Sequence, residues 1–89
     1  IEYCIVVSNG SGGASATSVN ISDPLPAQTT YDSTYGIFQS GTYTGTAPSG
    51  TCNLDGTAGG TFSAGTVSGT LGTVNPGTTR TLYFRATIN

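Results

Sequence analysis

The sequence lacks histidine, lysine, methionine and tryptophan, and only six of its 89 residues carry a charged side chain. Without His and Lys there is neither an imidazole base nor a primary amine for Schiff-base chemistry or phosphate binding. The only cations, Arg80 and Arg85, are too few for a nucleic-acid-binding surface. Two cysteines without histidine cannot build a zinc site, and no apolar run has the length of about 18 residues that a membrane span requires. We therefore expect no metal, no cofactor, no nucleic acid and no membrane span.

Carboxylates are equally scarce, because Glu2, Asp23, Asp32 and Asp55 are the only acidic residues. A calcium loop needs several oxygen ligands at short, fixed spacing, which these scattered residues do not offer. A glycosidase needs two carboxylates in one cleft, and nothing in the sequence pairs them. No catalytic residue is predicted, and the protein is expected not to be an enzyme. Asp23 opens the turn-forming segment Asp-Pro-Leu-Pro, where its side chain is expected to cap backbone N–H groups.

The two cysteines, Cys4 and Cys52, are expected to form a disulfide. In a small domain with a thin core, such a pair is typical of an oxidising compartment, so we expect an exported protein at the cell surface or outside the cell. Closing the long intervening loop is worth about 4 kcal/mol in the chain-entropy model. The chain begins at Ile1 inside an apolar run, and we expect it to be a processed product or an excerpt.

Serine, threonine and glycine make up nearly half of the chain, and glycine and threonine are poor helix formers. Short segments instead alternate apolar and polar residues, with turn signals every 8 to 12 residues or so, which is typical of β-sandwiches. We predict a single domain over residues 1–89, an antiparallel immunoglobulin-like β-sandwich of about seven strands. The residues expected to face inward are Tyr3, Ile5, Val7, Val19, Ile21, Leu71, Leu82, Phe84, Ala86 and Ile88, with Phe62, Val67 and Val74 as further core candidates.

Residues 36–60 interrupt this pattern, because their aromatic residues stand irregularly among Gly, Ser and Thr. This excursion carries Cys52. If Tyr3, Ile5 and Val7 face the core, alternation places Cys4 and Val6 on the outer face of the sheet. The predicted disulfide would then tie the excursion across that outer face and shield Val6 from water. In the last strand the same alternation places Tyr83 and Arg85 toward water.

Several short motifs, in this order, resemble a bacterial and archaeal cell-surface repeat family known as domain of unknown function eleven. They are a Tyr-x-Ile-x-Val strand followed by Asn-Gly, a strand ending in Asp-x-Leu-Pro, and a Leu-Gly-x-x-x-Pro-Gly turn into a final alternating strand. The matching residues are Tyr3, Ile5, Val7, Asn9, Gly10, Asp23, Leu25, Pro26, Leu71, Gly72, Pro76 and Gly77. The resemblance implies an immunoglobulin-like sandwich in secreted or surface-anchored proteins, with a structural or adhesive role and no catalytic residues.

The chain departs from the family pattern in two ways. Family members usually have one more strand before the Tyr strand, and residues 36–60 match nothing in the pattern. A sandwich without the leading strand should leave a sheet edge unpaired, and a neighbouring copy could complete that edge and build a filament. The residues predicted to form these self-assembly edges are Ile1, Tyr3, Ile5 and Val7 in the first strand, and Leu82, Phe84, Ala86 and Ile88 in the last.

The sequence leaves two function classes open. The first is a non-enzymatic extracellular structural module, a subunit of a surface filament or matrix assembled by strand complementation with itself or with neighbouring repeats. The alternative is an adhesin-type domain that recognises a glycan or a surface protein through the 36–60 excursion, with Tyr35 and Tyr43 as glycan contacts and Tyr31 as a third aromatic candidate. Asn9 and Asn20 each match the acceptor pattern for N-glycosylation.

Overall fold

The computed structural model describes all residues, 1–89, as ten β-strands without a helix. No element of the chain could therefore cross a membrane as a helix. Several strands have only two or three residues and lie in or near the excursion, which is why the count exceeds the expected seven. The strands are β1 (Glu2–Ser8), β2 (Ala16–Pro24), β3 (Thr29–Tyr31), β4 (Ile37–Gly41), β5 (Tyr43–Thr44), β6 (Thr51–Cys52), β7 (Thr57–Ala58), β8 (Thr61–Ser63), β9 (Thr66–Val74) and β10 (Thr79–Ile88).

The strands form two main antiparallel sheets that pack as a sandwich. The larger sheet has the order β1-β10-β4-β7, with β3 added beside the end of β10. The smaller sheet has the order β2-β9-β8, and β5 and β6 form a separate hairpin. Strands β4 and β10 of the larger sheet pack against β9 of the smaller one. The predicted all-β antiparallel sandwich is confirmed.

The core draws on both sheets, as the alternation predicted for most positions. Its fully buried cluster consists of Ile37, Val67, Leu71, Val74, Leu82 and Phe84. The inward-facing residues of β1 and β2 pack against this cluster but are only partly buried; they are Tyr3, Ile5, Val7, Val19 and Ile21. Two core predictions are wrong, because Ile88 is 59% exposed and Phe62 is 40% exposed. Ile88 lies beyond the point where β1 ends its pairing with β10, and its only ladder partner is Thr29 of β3.

Strand β10 is the centre of the larger sheet and is not an edge. It pairs with β1 along one side and with β4 and β3 along the other. The prediction that Leu82, Phe84, Ala86 and Ile88 form an exposed assembly edge is therefore wrong. Tyr83, predicted to face water, is only 2% exposed. Its ring stacks on Phe38 of β4, because the outer face of this sheet is covered as well.

The middle part of the excursion, residues 42–56, covers the outer face as the sequence predicted. A disulfide joins Cys4 of β1 to Cys52 of β6, across a sequence separation of 48 residues. Val6 shares a shallow depression with Tyr43, Pro48 and Cys52 of the β5–β6 hairpin. Deeper in the same layer, the backbone N–H of Gly56 donates to the Tyr83 hydroxyl at 2.9 Å. The disulfide is confirmed, and the placement of the excursion is confirmed for its middle part; its two ends, β4 and β7, are instead strands of the larger sheet itself.

Candidate functional site

The sandwich is closed on one side and open on the other. On the closed side, β4 of the larger sheet packs on β9 of the smaller one, and the Thr70 N–H of β9 donates to the Gln39 side chain of β4 at 2.8 Å. On the other side, β1 ends the larger sheet and β2 ends the smaller one, and no ladder joins the two strands. The half-buried inward side chains of β1 and β2 line this open side. It is the place where the core is least covered.

Backbone hydrogen bonds show which groups of β1 are free. At one end Ile1 exchanges two hydrogen bonds with Ala86, and at the other end the Asn9 N–H donates to Thr78. In an antiparallel pair the bonded residues alternate, so Ile1, Tyr3, Ile5, Val7 and Asn9 direct their backbone groups toward β10. Backbone N–H and C=O groups of the even-numbered residues from Glu2 to Ser8 consequently point away from the sheet. These backbone groups form a free edge that runs along all seven residues of β1.

Of the four terminal strands, β1 has the least protection against pairing with another chain. Edges are normally blunted by charge, proline, bulges or short length. Strand β2 has a register shift around Val19 and ends in Asp23-Pro24, while β7 and β8 have only two and three residues. Strand β1 is regular and has no proline. Its one charge, Glu2, is held by Arg85, with 3.3 Å between the carboxylate oxygen and Nε.

A second candidate site is an aromatic surface at one end of the sandwich. The rings of Tyr31 and Phe62 are stacked, with their centroids 4.5 Å apart and their planes 17° from parallel. Two grooves flank this pair, and both contain Ser33 as well as the two rings. The sequence pattern assigned Phe62 to the core, since a three-residue strand with one apolar residue does not show which face is buried.

Tyr35 and Tyr43, the predicted glycan contacts, are not brought together. Tyr35 borders the groove beside Tyr31, whereas Tyr43 lies in the depression above the disulfide. The Tyr35 hydroxyl donates to Glu2, and the guanidinium carbon of Arg85 lies 3.9 Å from the centre of its ring. Burial, and then the Glu2 carboxylate, raise the pKa of Tyr35. These contacts give Tyr35 a structural role that joins β1, β10 and the segment after β3.

The acidic residues act as hydrogen-bond acceptors in loops. Asp32 accepts from the hydroxyl and N–H of Thr34 and from the Tyr35 N–H, and Asp55 accepts from the N–H and hydroxyl of Thr42. These bonds lower the pKa of both carboxyl groups, and in each case the bond from the threonine hydroxyl has the largest effect.

The prediction that Asp23 caps a turn is wrong, because β2 continues through Asp23 and its side chain accepts no hydrogen bond.

No carboxylate lines any of the three grooves in the structure. Acidic and cysteine side chains also do not gather in a group of three that could hold a metal ion. The side chains of Glu2, Asp32, Asp55 and Arg85 instead make contacts within the fold.

The two glycosylation patterns lie in different environments. The Asn9 amide donates both of its hydrogens, to the carbonyls of Ala14 and Val74, at 2.8 and 2.9 Å. A glycan on that nitrogen would remove at least one of these bonds, so Asn9 is a structural residue of the turn between β1 and β2. Asn20 lies on β2, is exposed and makes no side-chain hydrogen bond. Only Asn20 has an amide that is free for modification.

Comparisons with known proteins give no match: no family model, no curated protein and no solved structure is similar to this chain. The resemblance to the cell-surface repeat family therefore stays a prediction.

Proposed function

We propose that the protein is a non-enzymatic structural module of an extracellular filament or matrix, in which a strand from a neighbouring copy pairs with β1. The observation that supports it is the free edge of β1 next to a half-covered core. An added strand would satisfy the outward backbone groups of Glu2, Cys4, Val6 and Ser8. Its inward side chains would cover the partly buried residues of β1 and β2.

Other features fit this role. A disulfide persists outside the reducing cytoplasm, which agrees with export. The low net charge of −2 leaves little repulsion against close stacking of copies. Strand donation from one copy to the next uses two different surfaces, and such a contact propagates as a filament when the rotation between copies does not close a ring. The resemblance to cell-surface repeats favours the same setting.

Proline at position 6 is the sharpest test, because the N–H of Val6 points away from β10. Val6→Pro removes one outward donor and places a ring at the edge, while the β1–β10 bonds stay intact. Val6→Thr keeps the N–H and the branched shape and is the matched control.

We expect wild-type protein and Val6→Thr to assemble with rising concentration, as seen by sedimentation velocity and negative-stain electron microscopy. We expect Val6→Pro to weaken assembly by at least roughly tenfold in concentration, since the new strand loses a backbone bond and meets a steric block. Circular dichroism checks that Val6→Pro is folded. A wild-type protein that remains monomeric at millimolar concentration would contradict the proposal, as would a folded Val6→Pro that assembles normally.

A further inference from the structure

The stacked pair of Tyr31 and Phe62 is an aromatic surface that the core does not use. Phe62 is 40% exposed although it is one of only eight aromatic residues in the chain. The pair forms a ridge between two shallow grooves of about 540 and 470 Å³, each of which includes both rings. A ligand that crosses the ridge would contact both grooves, so the surface suits an extended chain rather than a compact molecule.

The chemistry of the lining does not favour an anionic ligand. No Arg, Asp or Glu lines either groove. Arg85, the nearest cation to the ridge, is held by Glu2 and lies against Tyr35. An anionic ligand would find no partner there, and burying a charge without one is costly.

Hydroxyl groups surround the ridge. The hydroxyls of Tyr31, Ser33 and Thr61 make no hydrogen bond within the protein, and each can both donate and accept. The first groove also contains the backbone of Gly36, Gly59 and Gly60, and it is open beside Gly36, where a Cβ would meet no atom within 4 Å. Flat aromatic faces beside free hydroxyls match a pyranose ring, which has an apolar C–H face and a rim of hydroxyl groups.

The two rings are held in place before any ligand arrives. Tyr31 pairs with Ala86 of β10, and the following residue, Asp32, anchors a turn through Thr34. Phe62 pairs with Val67 of β9, which is fully buried. A site on two paired strands loses little conformational freedom on binding.

We propose that the Tyr31–Phe62 ridge and its two grooves bind a neutral carbohydrate chain, with the sugar faces on the rings and the sugar hydroxyls bonded to Tyr31, Ser33 and Thr61. None of the residues that line the two grooves belongs to β1, so the site would operate in the monomer as well as in an assembly.

The test uses a panel of neutral hexasaccharides, from cellulose, chitin, mannan and β-1,3-glucan, titrated into isotopically labelled protein. We expect at least one to shift the backbone amides of residues 31–33 and 60–62 and to bind in calorimetry. Phe62→Ala should weaken that binding by at least roughly tenfold, because it removes one of the two stacking faces. Leu54→Ala removes a similarly exposed apolar side chain, 45% exposed and outside the grooves, and should leave binding unchanged.

Three results would overturn the proposal: no binding across the panel, amide shifts elsewhere on the surface, or equal binding by Phe62→Ala. If Phe62→Ala alters self-association and no sugar binds, the ridge is a contact between copies and the proposal is also overturned. Val6→Pro separates this site from the proposed assembly, since it should leave sugar binding unchanged.

Discussion

Tyr83 marks the position where the outer face of the larger sheet becomes a second buried layer. Its ring stacks on Phe38, with 5.2 Å between centroids, and its hydroxyl accepts a hydrogen bond from the Gly56 N–H. Glycine is required at position 56, because a Cβ there would lie 2.8 Å from the Gln39 carbonyl oxygen. One side chain therefore fixes the path of the excursion over the sheet.

Removing the Tyr83 hydroxyl should destabilise the protein measurably. Tyr83→Phe keeps the ring and leaves the Gly56 N–H without a partner, so we expect a loss of about 1 to 2 kcal/mol in the free energy of unfolding. Tyr43→Phe is the matched control, since the Tyr43 hydroxyl makes no hydrogen bond, and it should cost less than about 0.5 kcal/mol. Urea denaturation followed by circular dichroism measures both. Equal stability of the two variants would show that the Gly56 bond contributes nothing.

Asp55 gives the stability of the excursion a dependence on pH. The Thr42 hydroxyl and N–H hold its pKa below the usual value of 3.8, so the folded state favours the charged form. That contribution is present above the unfolded pKa and is lost as the pH falls through the folded pKa. We expect unfolding free energy to fall as the pH is lowered from 5 to about 2, and to fall less steeply in Asp55→Asn.

Thr73→Ala is the control for that measurement, because the Thr73 side chain is exposed and makes no hydrogen bond, and the change should leave the slope unaltered. Urea denaturation at a series of pH values gives the slopes. If Asp55→Asn and the wild-type protein showed the same slope, the Thr42 contacts would not hold the pKa down.

At the scale of elements, β1 and β10 show why the pattern of one strand does not reveal its place in a sheet. Both alternate apolar and polar residues, and both were predicted to be edges. In the structure β10 is bonded on both sides, while β1 is bonded on one. The difference arises from β4 and β3, which lie far away in sequence and pair with β10. Only β1 keeps free backbone groups for another chain.

Hydrogen exchange should reveal this one-sided bonding within β1. In the monomer we expect slow exchange at the amides of Tyr3, Ile5 and Val7, which point to β10, and fast exchange at Cys4 and Val6, which point outward. Amide exchange measured by NMR at low protein concentration resolves the five residues. Along β10, both odd and even amides should be slow, which serves as the internal control. Uniform protection along β1 in a verified monomer would show that its edge is already covered.

At the scale of the whole molecule, the protein has three layers held by one covalent link. Two sheets enclose the core, and residues 42–56 of the excursion form a third layer on the outer face of the larger sheet. The β5–β6 hairpin pairs with neither main sheet, so the disulfide is its main attachment. Ten buried residues in a chain of 89 make a small core, for which a disulfide matters greatly.

Removing the disulfide should lower global stability and release the hairpin. For the double variant Cys4→Ser, Cys52→Ser we expect a loss of about 2 to 5 kcal/mol, because the unfolded chain gains freedom across the 48-residue separation. Denaturant unfolding measures the loss. Chymotrypsin should cut at Tyr43 much faster in the variant than in the oxidised protein. Unchanged stability and unchanged cleavage would show that packing alone holds the hairpin.

The sequence by itself determined the properties that depend on neighbouring residues and on composition. Scarce charge and abundant glycine and threonine led to an all-β chain, and alternation in β1, β2, β9 and β10 selected most inward-facing residues. The alternation in β1 also placed Cys4 and Val6 on the outer face of the sheet. From this placement followed the prediction that the disulfide ties the excursion across that face. These inferences succeeded because the two-residue period is a property of the extended backbone itself.

Tertiary structure alone decided which faces and edges are covered. The sequence around Tyr83 does not distinguish this residue, which is buried under the excursion, from one that faces water. In the same way, the sequence of β10 does not distinguish a central strand from an edge strand. Phe62 and Ile88 are apolar but lie where neighbouring strands end, and the Asn9 amide is occupied because Val74, 65 residues away, approaches it. Burial and pairing depend on contacts between distant segments, which the order of residues within one strand does not encode.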